Sequence, residues 1–310
     1  MSGRAPRQEY TRRMHRALAH IDAHLSEPLP LAELAAVANF SPYHFHRLFT
    51  AWEGETVADF IRRRRVEVAA LRLLTQPRTA VLDIALTVGF GSGEALAHAF
   101  KARFGCSASQ WRQGGAAARA AQMRKLDQAL RKADQGASAR TADHAGTSTP
   151  REIPMNVRVV ERAPARVAYL RHVGPYGPPV HAFWQAKFIP FLARHQLFGR
   201  PIYGVSHDDP LIAQPDKLRF DCCVAVDEGF VPSGDALLAT IAGGRYASLP
   251  FNGTSDTIGA QWMALMRDWL PSSGWQLDGR PTFEYYPPGA AYDEATGRFE
   301  CEIVIPLAPL

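Results

Sequence analysis

Apolar residues recur at helical spacing through the first third of the chain and change to alternation in its second half. Met14, Leu18, Ile21 and Leu25 fall on one face of a helix. Ser41 and Pro42 are a helix start, a hydroxyl cap followed by a proline whose missing N–H costs nothing in the first turn. Behind them Phe45, Leu48, Phe49 and Trp52 form a stripe facing a core. Residues 56–76 predict a long helix ended by Pro77. From Met155 the period shortens. "VRVVERAPARVAYLRHVGPYG" reads as two short strands, Val180–His195 as an amphipathic helix, and "PIYGVS" and "LRFDCCVAVD" as strands. A second set follows in the same order: "ALLATIAGGRYASLPF" as a hairpin, "DTIGAQWMALMRDWL" as a helix, and "PTFEYYP" with "FECEIVIPL" as closing strands. The expected architecture is two domains, an all-α domain over residues 1–115 and an α+β domain over 153–310 made of two pseudo-twofold related β-α-β modules. Residues 116–152, rich in Ala, Gly, Ser and Thr, read as a partly flexible linker across which few core contacts are expected.

The all-α half contains a repeat. "LAELAAVANFSPYHFHRLFTAWEG" (31–54) and "VLDIALTVGFGSGEALAHAFKARFG" (81–105) align Asn39-Phe40 with Gly89-Phe90, Phe49 with Phe100 and Gly54 with Gly105. The offset grows from 50 to 51 inside the turn, as though one residue were inserted there. A short apolar helix, a tight turn and a second helix, present twice, is the helix-turn-helix plan. The long helix joins the two copies.

Charge sharpens this division. Residues 1–132 carry 20 Lys+Arg against 11 Asp+Glu, and residues 133–310 carry 15 against 19, so a net of +9 is joined to a net of −4. A basic half suits a polyanion and an acidic half something else. No apolar run approaches the ~20 residues of a membrane span, and the polar start has no secretory character, so a cytoplasmic protein is expected. Cys106, Cys222, Cys223 and Cys301 suit neither a disulfide framework nor a zinc spacing. His20 and His24 have metal-like spacing without an evident third ligand, and His44 and His46 do not share a helical face, so no metal is expected.

The chemistry therefore rests on outward faces. Tyr43, Arg47 and Thr50 point away from the first apolar stripe, with His46 on its flank. In the second copy Glu94, Ala97, His98 and Lys101 point outward and are less basic. Arg62, Arg63, Arg64 and Arg65 sweep nearly a full turn and cannot all reach one surface; phosphate contact is assigned to some, with other stems packed on apolar neighbours. His207-Asp208-Asp209-Pro210 reads as a turn. In "PTFEYY" alternation places Glu284 with Thr282 and Tyr286 and opposite Phe283 and Tyr285. A carboxylate in so aromatic a strand needs a cation or water nearby.

Residues 12 to about 112 resemble the DNA-binding domain of the AraC/XylS family, on "LAAVANFSPYHFHRLF", the joining helix and "IALTVGFGSGEALAHAFKARFGCSASQWR". The resemblance implies recognition helices entering successive major grooves of double-stranded DNA. The base-contacting positions would be Tyr43, His46 and Arg47 in the first unit and Gly93, Glu94, Ala97 and His98 in the second. This chain departs from the family pattern at His98, where arginine is common, and at Ser107-Ala108, where Ser-Pro is usual. Residues 155–310 resemble the GyrI-like effector-binding domain, on "YLRHVGPYG", "HDDP", "LRFDCCVAV", "AGGRY" and "FEYY…IVIPL". That resemblance implies a cleft for amphipathic, often cationic aromatic molecules, with its carboxylate at Glu284. Tyr169, Trp184, Phe220 and Trp262 are candidates for its aromatic wall or for core. The combined order resembles Rob-like regulators and implies RNA polymerase as a partner, a monomer or dimer, no cofactor and no enzymatic role. A hydrolase of reactive small molecules and a protein-interaction module are the alternatives for the second half.

Overall fold

The computed structural model describes residues 4–119, 121, 155–210 and 212–309. Most of the expected linker lies outside them.

The helices of the first half include α1 (Arg4–Ala23), α2 (Leu31–Val37), α3 (Pro42–Glu53), α4 (Val57–Thr75), α5 (Val81–Thr87), α6 (Gly93–Phe104) and α7 (Ala108–Gln110), the last continued by a π-helical turn (Trp111–Gly115). The repeat is visible in the backbone. α3 and α6 each begin at a serine, Ser41 and Ser92, whose hydroxyl accepts a backbone N–H from the first turn. Each ends at a left-handed glycine, Gly54 at φ 74° and Gly105 at φ 73°. The turns before them also correspond. Asn39 (φ 54°) and Gly89 (φ 93°) hold the same left-handed position, and asparagine and glycine are the residues that adopt it most easily. The inserted residue lies between Phe90 and the Ser92 cap. Ser107 still forms a full capping box with Gln110 although alanine follows it.

Two cores lie along α4. Ile21, Leu34, Phe45, Phe49 and Phe60 close the first helix-turn-helix unit; Val66, Leu73, Ile84, Leu96, Phe100 and Trp111 close the second. Met14, Leu18 and Leu25 are buried as the spacing predicts. Trp52, expected in the stripe, is instead exposed, one residue before α3 ends.

The second half is a ten-stranded sheet with helices against it. Its elements are β1 (Arg158–Arg162), β2 (Ala165–Val173), α8 (Pro178–Phe183), a π turn (Trp184–Phe188), α9 (Ile189–Arg194), β3 (Ile202–Ser206), β4 (Arg219–Ala225), β5 (Leu237–Ile241) and β6 (Gly244–Gly253). They continue with α10 (Ile258–Ala264), a second π turn (Leu265–Trp269), β7 (Trp275–Leu277), β8 (Thr282–Tyr286), β9 (Tyr292–Asp293) and β10 (Arg298–Pro309). Strand order is β1-β6-β10-β8-β3-β4-β2-β5, with β7 and β9 pairing on β10. The pairings along that path are antiparallel, so β3 and β8 meet at its centre, Gly204 opposite Glu284. The hairpin expected over 236–251 does not form. β5 pairs with β2 and β6 with β1 and β10, and the chain crosses between them at Gly243 and Gly244. Gly244 takes φ +124°, and a Cβ on Gly243 would lie 2.8 Å from the Pro164 ring, so this crossing admits only glycine.

The two halves are in contact, against the expectation that few contacts would cross. Ile212, on the segment between β3 and β4, is 2% exposed and belongs to the core of the second helix-turn-helix unit. Beside it runs a chain of buried charges. Asp208 accepts from the backbone N–H, Nε and Nη2 of Arg219 at 2.8, 3.0 and 3.0 Å, and pairs with Arg64 of α4. Arg219 in turn pairs with Asp22 of α1, and Arg64 donates to Glu67 at 2.9 Å. Lys217 bonds the Glu53 carbonyl, and Gln76 Nε2 donates to the Leu277 carbonyl at 3.2 Å. Burial opposes ionisation of Asp22, but the Arg219 and Arg64 guanidiniums overcome it and hold its pKa down to about 2. The same balance, burial against Arg219 and Arg64, leaves Asp208 well below the carboxylate range.

Candidate functional site

The outward face of α3 is built as the apolar stripe requires. Phe45 and Phe49 are fully buried, which leaves Tyr43, His46 and Arg47 exposed, Tyr43 to 66%. Arg47 Nη1 donates to the Tyr43 hydroxyl at 3.1 Å, and its guanidinium lies 5.7 Å from the ring centroid. The two side chains, one turn apart, thus hold each other in an extended, paired orientation. Thr50 is different: its hydroxyl donates to the His46 carbonyl at 2.9 Å and is occupied within the helix. On α6, Glu94, Ala97, His98 and Lys101 are exposed, while Gly93 is half-buried against Leu82 of α5.

The arginine run on α4 resolves into four different roles. Arg62 alone is well exposed, at 64%, beside Asp59 at 3.7 Å. Arg63 bonds Glu55 and Glu67 at 2.8 and 3.1 Å. Arg64 is buried in the interdomain network. Arg65 donates to the Leu25 and Glu27 carbonyls at 2.9 and 2.7 Å. The phosphate role considered for Arg63 and Arg64 is corrected: both guanidiniums are committed to carboxylates of the protein. Sequence separation hid this, since the partners of Arg64 include Asp22 and Asp208.

In the second half a cavity of about 1050 Å³ opens on the face of the sheet covered by α8 and α10. Alternation along β8 sends Thr282, Glu284 and Tyr286 into it and Phe283 into the core on the other side. Glu284 is 9% exposed. Its carboxylate accepts from the Tyr286 hydroxyl at 2.7 Å and from Trp262 Nε1 at 3.4 Å. Among the described residues no guanidinium or ammonium pairs with it. Burial therefore raises its pKa, and the bonds from Tyr286 and Trp262 offset this only in part. Trp184 packs on Tyr286 at 5.3 Å between centroids, and Phe220 lies across Gly204. A Cβ on Gly204 would meet the Phe220 ring at 2.5 Å and the Glu284 carboxylate at 3.1 Å. This glycine in mid-strand is the signal for the floor of the cavity that sequence reasoning passed over.

Trp184, Phe220, Trp262, Glu284 and Tyr286 all line the cavity. Tyr169 does not, and that assignment is corrected. It lies one position out of phase on β2, 3% exposed, in the core with Tyr203, Tyr246 and Phe283. Both tryptophans sit at irregular helix: Trp184 opens one π turn and Trp262 stands just before the other. Such turns shift the helical phase and swing side chains that regular α-helix would direct elsewhere. The "HDDP" turn also carries more than a turn, since Asp208 is the centre of the interdomain ion network. Among the described residues no cluster of three potential ligands could hold a metal ion. No helix among them is long and apolar enough to cross a membrane.

Residues 155–308 match the family described as GyrI-like small molecule binding domain, and residues 34–114 match a helix-turn-helix domain family. A DNA gyrase inhibitor of Edwardsiella ictaluri is 32% identical over 136 residues, 43% of this chain and 86% of that protein. The right origin-binding protein of Escherichia coli is 36% identical over 98 residues, which cover 31% of this chain and 33% of that protein. The crystal structure of the DNA-binding domain of AdpA in complex with a target DNA is 30% identical, covering 34% of this chain and 95% of that one, with a TM-score of 0.32.

Proposed function

The chain belongs to the AraC-type transcription regulators that carry a C-terminal GyrI-like small-molecule-binding domain, and we propose that it couples sequence-specific DNA binding to capture of an amphipathic aromatic cation. Tyr43, His46 and Arg47 read bases from the first recognition helix. Arg47 carries the guanidinium fork that suits guanine. Glu94, Ala97, His98 and Lys101 face an adjacent groove, with Arg62 on phosphate. Two β-α-β modules related by a pseudo-twofold axis build the cleft. The strand order supports this, because it reads outward from the β3–β8 seam in matching steps, β4-β2 on one side and β10-β6 on the other. Once bound, the regulator acts on transcription through RNA polymerase.

One observation carries the ligand assignment: Glu284 is a buried carboxylate hydrogen-bonded by Tyr286 and Trp262, among rings, without a basic partner. Such a site favours delocalised positive charge, which gains Coulomb attraction from the carboxylate and cation–π contact from the rings. Binding is favoured over turnover, since both carboxylate oxygens of Glu284 already accept a hydrogen bond, from Trp262 and from Tyr286, and burial pushes the neighbouring Cys222 and Cys301 thiols up, away from the reactive thiolate. Titration with tetraphenylphosphonium and neutral triphenylphosphine oxide tests the reading. Glu284→Gln should weaken the phosphonium about 10- to 100-fold, the worth of a charge-assisted contact, and leave the neutral compound nearly unchanged. Equal affinities for both ligands in both proteins overturn it.

A further inference from the structure

The cavity is not walled by the sheet domain alone. Arg64, Val68, Leu71, Arg72 and Thr75 of α4 also line it. At 100° per residue these five fall within one arc of the helix, while Val66, Ala69, Ala70 and Leu73 face the opposite way, into the helix-turn-helix core. α4 thus has two buried duties, one stripe for its own domain and another for the cleft. Val68 and Leu71 are apolar and half-buried on the cleft side. The helix is fixed there at both ends. Arg64 pairs with Asp208 at one end. At the other, Gln76 bonds the Leu277 carbonyl, and Arg72 Nη2 lies against the Gly279 turn, 3.4 Å from where a Cβ would stand.

We infer that α4 is a wall of the ligand site. The apolar end of a bound cation packs on Val68 and Leu71, while its charge lies towards Glu284. This deepens the cleft reading and rests on it. The polarity of the cavity supports the orientation. Glu284 stands on the floor without a cation, whereas on the α4 side Arg64 is already paired with Asp22 and Asp208, and Val68 and Leu71 are apolar. A ligand's positive charge is drawn to the carboxylate that has no cationic partner, so its neutral part faces the helix. A ligand held this way touches the helix that joins the two DNA-reading units. Any difference in its fit between arrangements of those units becomes a coupling between ligand and DNA affinity, equal in both directions.

The test uses the full chain with tetraphenylphosphonium, followed through fluorescence of the tryptophans at the cavity. Leu71→Ala removes most of the proposed apolar contact and should weaken binding roughly ten-fold. Since Leu71 also packs on its own domain's core, a second readout is needed. The thiol introduced by Leu71→Cys should react with a maleimide at least ten-fold more slowly when phosphonium is saturating. Leu82→Cys, on exposed α5, should show no such protection. If wild type binds and responds to Glu284→Gln, but Leu71→Cys labels at the same rate with and without ligand, the α4 wall is wrong and the cleft reading stands. Absence of saturable binding by wild type overturns both.

Discussion

Replacing Asp208 by asparagine keeps the shape of the side chain and removes the charge on which the contact between the halves turns. Asp208 accepts three hydrogen bonds from Arg219 and pairs with Arg64 from the other domain. Removing one member of a buried ion pair costs about 3–5 kcal/mol, because the partner's charge stays buried without compensation. Here Arg64 keeps Glu67 and Asp22, and Arg219 keeps Asp22, so about 3 kcal/mol is expected. Urea unfolding should show one transition for wild type and an earlier departure of the second domain in Asp208→Asn. A double-mutant cycle with Arg64→Gln isolates the interdomain part. The two substitutions should be non-additive by about 1–3 kcal/mol. Additivity within about 0.5 kcal/mol would refute the claim that Arg64 and Asp208 join the domains.

Arg47→Ala should weaken specific DNA binding by roughly 1–3 kcal/mol and relax preference at one half of the site, as read by footprinting and competition with mutated sites. Arg62→Ala should weaken binding to all sequences and lower the slope of log affinity against log salt by about one, whereas Arg63→Ala should lower thermal stability instead. Affinity for tetraphenylphosphonium requires Glu284 ionised, and burial raises the pKa of this group. Affinity should therefore fall with acid at a midpoint above the usual value of about 4.3, and a flat profile from pH 7 to that value contradicts the assignment. Asp22 has the opposite sign. Its folded pKa is about 2, so its stabilisation is complete above the unfolded value near 3.9 and is lost as pH falls from about 4 towards 2, which acid unfolding monitored at the domain contact would show.

Much of the local structure was legible because it is written in short-range rules. The Ser41 cap, the matching turns at Asn39 and Gly89, the one-residue insertion and the alternation along β8 are set within a few residues of themselves. What the sequence did not reveal is set by distant partners. Arg64 looked available to phosphate because Asp22 and Asp208 are brought to it only by the fold. The pairing of Arg63 and Arg64 with Glu67, one turn along the same helix, was open to sequence reasoning and passed over. The pairing of β5 with β2 hid behind a hairpin-like pattern, since glycines that permit a tight turn permit a crossing equally well. Tyr169 and Phe220 share one pair of strands and a similar aromatic character; strand phase alone sends one to the core and the other to the cleft. The α4 wall was invisible for the same reason as the ion network. Its stripe reads as ordinary half-exposed helix until the second domain is placed beside it.

The most direct test of the account is a crystal structure of the full chain with tetraphenylphosphonium. The cation is predicted between the Glu284 carboxylate and α4, within about 6 Å of the ring centroid of Trp184 or Trp262, with a phenyl group against Leu71. A phosphonium seated elsewhere on the protein, with the Glu284 cavity empty, contradicts it.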